Sequence, residues 1–127
     1  MEGDSYMDLH SIEGEFSVCK VGHYTAAMLE GPFSFLAVTD TEKSLICPTE
    51  AVPEDCLVWE DHWNCFRIAE DAAFSKYGMI AFLADIIAAQ KTATLVVGTY
   101  DTDYLFIQRD KFPQVRQKLI EAGCQFL

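Results

Sequence analysis

The run Tyr77 to Ala89 constrains this chain more than any other stretch. It carries Met79, Ile80, Phe82, Leu83, Ile86 and Ile87, with Ala81, Ala84, Ala88 and Ala89 between them. Only Asp85 interrupts it, and Gln90 and Lys91 follow. A crossing helix needs roughly 20 apolar residues, so this one is too short to span a membrane. A helix on a water-facing surface shows a polar side, and this one has almost none. It is therefore expected as a helix over 76–90, capped by Ser75 and covered on two sides, by a sheet and by another helix or subunit.

The residues around that helix set the expected architecture. Trp63 to Ala69 reads as a strand, and Ala93 to Val97 as a buried strand by composition. Tyr104 to Gln108 is the next strand. Asp110 can cap a second helix, with Pro113 in its first turn and Phe112, Val115, Leu119 and Ala122 on one stripe. Gly123 suits the left-handed position that ends a helix, and Cys124 to Leu127 can add a short edge strand. The order strand, helix, strand, strand, helix, strand is ferredoxin-like, an α+β class with two helices over one face of a mainly antiparallel sheet.

The first half is different in kind. Residues 1–14 are acidic and polar, contain Gly3 and Gly14, and are expected as a flexible tail. Phe16 to Val21 alternates as a half-buried strand does. Two β-rich runs, 32–39 and 44–47, flank the polar turn Asp40-Thr41-Glu42-Lys43 and predict a hairpin. No strong helix is expected before residue 70.

Charge and cysteine usage narrow the function. Nine Lys and Arg stand against twenty Asp and Glu, a net charge of −11. That sign repels phosphate backbones and anionic membrane surfaces, so neither nucleic acid nor a membrane is an expected partner. The N-terminus lacks a basic region followed by an apolar one, which points to a cytoplasmic protein. Five cysteines, Cys19, Cys47, Cys56, Cys65 and Cys124, form no Cys-x-x-Cys pair and read as small buried hydrophobes; no metal site is expected. His10, His23 and His62 are scattered without metal-ligand spacing. Ser17 and Ser75 lack a nucleophile motif, no glycine-rich phosphate loop is present, and Arg67, Arg109 and Arg116 lie outside any turn motif. No cofactor and no catalytic residue is expected. Trp59 and Trp63 suit either an interface or an ordinary core role.

Gly98-Thr99-Tyr100-Asp101-Thr102-Asp103-Tyr104 joins two strands and holds two carboxylates two residues apart. By itself this is a solvated Asx turn or a site for a cation. Together with CPTEAVPEDC at 47–56 and YGMIAFLADIIAA at 77–89, it resembles a family of small tandem ACT-domain proteins. These are related to the paired ACT domains of cytosolic arginine sensors and of aspartate kinases. The resemblance runs from Phe16 to the C-terminus. Ala69 to Phe74 stands where that family commonly has a Gly-Pro pair, and Lys91-Thr92-Ala93 replaces its usual Gly-Ile.

The resemblance implies a degenerate ACT-like unit over 15–60 and a full βαββαβ ACT domain over 61–127. It also implies a non-catalytic regulatory or sensing role, with an amino-acid effector bound between ACT units. Mapped onto this chain, it points to Ser75, Tyr77, Gly78, Met79 and Ile80 on one side and Thr99, Tyr100, Asp101, Thr102 and Asp103 on the other. The acids favour arginine or lysine as effector, and the apolar helix favours a homodimer or another protein partner. The alternative is a ligand-free dimerisation or scaffold module.

Overall fold

The computed structural model describes residues 6–69 and 77–127. Their contacts divide into two units that do not follow chain order. One takes the residues up to Glu13 together with Asn64–Leu127, and the other is Gly14–Trp63. This differs from the expected division into a tail 1–14, a unit 15–60 and a unit 61–127. Two long strands cause the difference, β1 (Met7–Lys20) and β4 (Val58–Ile68), because each serves one unit with its first part and the other with its second. Each carries a left-handed residue at the changeover, Gly14 at φ 97° and His62 at φ 74°. Glycine takes that backbone without a Cβ penalty; histidine does so only where its surroundings hold it there.

The unit containing the C-terminus holds the first half of β1, the second half of β4, α1 (Met79–Ala89), β5 (Thr94–Gly98), β6 (Asp103–Gln108), α2 (Phe112–Glu121) and β7 (Cys124–Phe126). Its strands run in the order β7-β1-β4-β6-β5. The supposed tail is thus a strand. Met7 and Leu9 alternate with Asp8 and His10, both are buried, and β1 lies parallel to β7 with Met7 opposite Cys124 and Leu9 opposite Phe126. The reason is local period plus a distant partner: alternation sends Met7 and Leu9 to one face, and β7 offers the edge that satisfies their backbone.

Both helices cover that face. Met7, Leu9, Phe66, Ile68, Leu105 and Ile107 from the strands meet Met79, Leu83 and Ile87 of α1 and Val115 and Leu119 of α2 in one core. The second helix follows its stripe except at Ala122, which is exposed, and its N-cap is Lys111 rather than Asp110. Gly123 takes the left-handed position after it, at φ 107°.

The first helix is shorter and less enclosed than expected. It begins at Met79 behind Gly78 as N-cap (φ 76°, ψ 18°), and Ser75 lies outside the described residues. Met79, Leu83 and Ile87 are buried and Ile80, Phe82 and Ile86 half-buried, while Ala81, Asp85, Ala88 and Ala89 face outward. Alanine made the helix read as apolar all round, yet a methyl group costs little in water, so one broad side suffices to bury what must be buried. No helix of the described residues is long and apolar enough to cross a membrane.

The unit Gly14–Trp63 is built on strands. The second half of β1 pairs antiparallel with β3 (Lys43–Pro48), from Phe16 opposite Pro48 to Lys20 opposite Ser44. In turn β3 pairs antiparallel with β2 (Phe35–Val38), whose Val38 faces Lys43 across the expected turn. Two 3₁₀ turns, Ala26–Leu29 and Thr49–Ala51, are its helical content among the described residues. Cys19, Val21, Leu45 and Cys47 form its core, packed by Met28, Leu36, Val52 and Cys56.

Candidate functional site

Four residues, Thr99 to Thr102, close the antiparallel hairpin of β5 and β6, whose last pair is Gly98 opposite Asp103. The Thr99 N–H donates to the Thr102 carbonyl at 2.8 Å, the Thr99 hydroxyl to the same carbonyl at 3.0 Å, and the Thr102 N–H to the Thr99 hydroxyl at 3.3 Å. Thr102 is itself buried, and its hydroxyl donates to the Ile68 carbonyl at the end of β4, at 2.5 Å. A threonine that closes a turn and also ties it to the next strand anchors the base of this turn as a platform. A Cβ on Gly98 would come within 3.2 Å of Asp103 Oδ1, so glycine leaves the space that this carboxylate occupies.

Above that platform the remaining residues are open. Asp101 is exposed, Asp103 half-buried, and the Tyr100 ring is fully exposed. Tyr77 is equally exposed, at 99% of its maximum. At the start of α1 the first intrahelical bond is Phe82 N–H to the Gly78 carbonyl at 3.0 Å. The N–H groups of Met79, Ile80 and Ala81 therefore have no acceptor inside the helix, and they form a positive end suited to a carboxylate. Met79 is buried in the core, so only its backbone can serve. The structure brings Thr99, Thr102 and Asp103 together. The bonds that anchor the turn run to β4 rather than to the helix start.

A second polar centre lies in the unit Gly14–Trp63, which sequence reasoning set aside. Ser17 is fully buried, donates to Asp61 Oδ1 at 2.5 Å and stands 2.9 Å from the Thr49 hydroxyl. Beside them is a cavity of about 240 Å³ lined by Thr49, Val52, Pro53, Glu54, Cys56, Trp59 and Asp61. Its signal in the sequence was faint: a serine in an apolar strand, 44 residues from its partner acid. Trp63 is buried, whereas Trp59 is 54% exposed. His62 and His23 each face a carboxylate, Glu15 at 3.3 Å and Asp55 at 3.4 Å, in exposed pairs of small energetic value. Among the described residues no group of three His, Cys, Asp or Glu side chains is placed to hold a metal ion.

The cysteines are free, four of them buried. Burial pushes the thiols of Cys19 and Cys65 up to about 12, and that of Cys47 upward as well. Thiolate is the reactive form, so Cys56, only half-buried, is expected to react first with a disulfide reagent at pH 8, with Cys19 and Cys65 silent until unfolding. The same shifts set a stability trend. The unfolded chain gives up these protons near 9, while the folded chain holds them to about 12. Stability is then intact below pH 9 and falls as pH rises toward 12, by up to about 1.4 kcal/mol per pH unit for each such thiol. Denaturant melts at pH 8 and pH 10.5 should show the decline, and Cys65→Ala should flatten it.

A protein from Agrobacterium tumefaciens superposes with a TM-score of 0.85 at 22% identity, covering 95% of this chain and 92% of that one. Aspartate kinase from Synechocystis gives 0.69 at 10% identity, over all of this chain and 28% of the kinase. The ligand-free regulatory subunit of aspartate kinase from Thermus thermophilus gives 0.59 at 8% identity, over 90% of this chain and 95% of that subunit. The fold is ACT-like. At these identities the likeness concerns fold alone. No family model and no curated protein matches the chain.

Proposed function

We propose that this chain is a non-catalytic regulatory or sensor protein of ACT type that binds a small amino acid. Its likeness across nearly the whole length of an aspartate kinase regulatory subunit carries the reading, because that neighbour is itself a regulatory subunit. The chemistry agrees. Asp101 and Asp103 on their anchored turn offer charge-assisted bonds to an ammonium or guanidinium group. The N–H groups at the start of α1 that have no acceptor inside the helix, around Tyr77, Gly78, Met79 and Ile80, suit a carboxylate. Arginine and lysine carry both ends with an extra positive charge, which a chain of net charge −11 favours. A chain of this kind passes its signal on by binding differently in its two states, to a second copy or to another protein.

Thermal melts against each of the twenty amino acids test this. A ligand at about 100 times its dissociation constant adds roughly 2.7 kcal/mol, a shift of several degrees. Arginine or lysine is expected to give it, and Asp101→Ala with Asp103→Ala to remove it. If no amino acid shifts the melt while the chain still self-associates, the ligand-free scaffold reading replaces this one.

A further inference from the structure

The cavity beside Ser17 has a hydrogen-bond polarity that selects its ligand. Ser17 has one hydroxyl hydrogen and gives it to Asp61 Oδ1, so Thr49 must donate to Ser17. The relay runs Thr49 to Ser17 to Asp61, and it uses up every hydroxyl hydrogen. The oxygen-bearing side chains of the lining, Thr49, Asp61 and Glu54, are then acceptors, beside the indole N–H of Trp59 and the thiol of Cys56. Among the described residues neither Asp61 nor Glu54 has a cationic partner, and Asp61 Oδ2 has no partner at all. A group with three donor hydrogens and a positive charge matches these two carboxylates and the Thr49 oxygen; an anion is repelled by them.

Shape and field point the same way. Val52, Pro53 and the exposed Trp59 indole supply an apolar wall along which methylene groups can lie, and an aromatic face also attracts a cation. About 240 Å³, open to solvent, is room for several waters and so for the head and stem of a short amine. Lys20 and Lys43 are the only Lys or Arg residues in 14–63, against nine Asp and Glu, so the field around the cavity draws cations in. Buried Ser17 fixes the Asp61 carboxylate in place before any ligand arrives, which lowers the ordering cost of binding.

We propose that this cavity is a binding site for a small primary alkylamine, its ammonium held by Asp61, Glu54 and Thr49 and its stem lying on Trp59. The site is separate from the residues of the amino-acid reading and stands or falls without it. The test is a titration of the full chain with 1,5-diaminopentane at low ionic strength, followed by the indole N–H signal of Trp59 and the amide signals of Ser17 and Thr49. The expected result is a saturable shift with the diamine and none with 1,5-pentanediol or glutarate. Glu54→Gln, at an exposed position, should weaken binding several-fold, and Asp61→Asn by more than tenfold; Asp101→Ala with Asp103→Ala should leave it unchanged. Absence of a saturable shift in the parent chain, equal binding of the diol, or binding untouched by Asp61→Asn and Glu54→Gln together would each overturn the proposal.

Discussion

Leu9→Ala should cost about 2–5 kcal/mol, enough to lower the melting temperature by on the order of 10 °C. Leu9 is fully buried, it stands opposite Phe126 of β7, and its carbonyl accepts from the Leu127 N–H at 2.7 Å. Truncation leaves a void among Met7, Phe66, Ile68 and the two helices that share this core. Neighbours held by a sheet cannot close over such a void, so the cavity penalty adds to the lost burial. Ser11→Ala, in the same strand but exposed, should stay within about 0.5 kcal/mol. Equal melts for the parent chain and Leu9→Ala would return residues 7–13 to the status of a tail and undo the strand order given above.

Phe66→Ala should cost about 3–5 kcal/mol, a large share of the about 5–15 kcal/mol that stabilises an ordinary domain. Phe66 is fully buried on β4 and centres an aromatic cluster. Its ring stacks with Phe112 at 6.1 Å and 28° and meets the edge of Phe126 at 5.6 Å and 71°. Phe112 opens α2 and Phe126 lies in β7, so one side chain joins a strand, a helix and the C-terminal edge. Each such ring pair adds about 0.5–1.5 kcal/mol beyond the area it buries. Phe66→Leu keeps most of the volume and loses the ring geometry, so it should fall between the parent and Phe66→Ala. A loss under 1 kcal/mol for Phe66→Ala in chemical denaturation would remove the cluster from its central place.

The candidate site was legible in part for a physical reason. Thr99 to Asp103 form a turn whose bonds are nearly all local, and that segment is the most specific of the three, with 47–56 and 77–89, that carry the resemblance to ACT proteins. What anchors the turn, the bond from Thr102 to Ile68, spans 34 residues and leaves no trace in composition. Ser75, expected to cap α1, lies outside the described residues, and the position before the helix is taken by a left-handed Gly78. The Ser17, Thr49 and Asp61 relay was invisible for the stronger form of that reason. Thr49 belongs to the 47–56 segment but Ser17 and Asp61 to no motif, and only the pairing of β1 with β3 and the path of β4 bring the three together.

Much of the local structure was determined by the sequence alone. The hairpins β2–β3 and β5–β6, the stripe of α2 and the left-handed Gly123 all arise from periodicity and turn chemistry within a dozen residues, where few alternatives compete. Tertiary structure decided where β1 goes and how much of α1 is covered. Met7 and Leu9 are too few to announce a strand amid acids and a glycine. They become one because β7, at the opposite end of the chain, presents an edge whose backbone must be paired and a core that two leucine-sized side chains complete. The left-handed Gly14 then lets the same strand continue into the second unit. Such a choice depends on free energies summed over distant residues, and no window along the chain contains both partners.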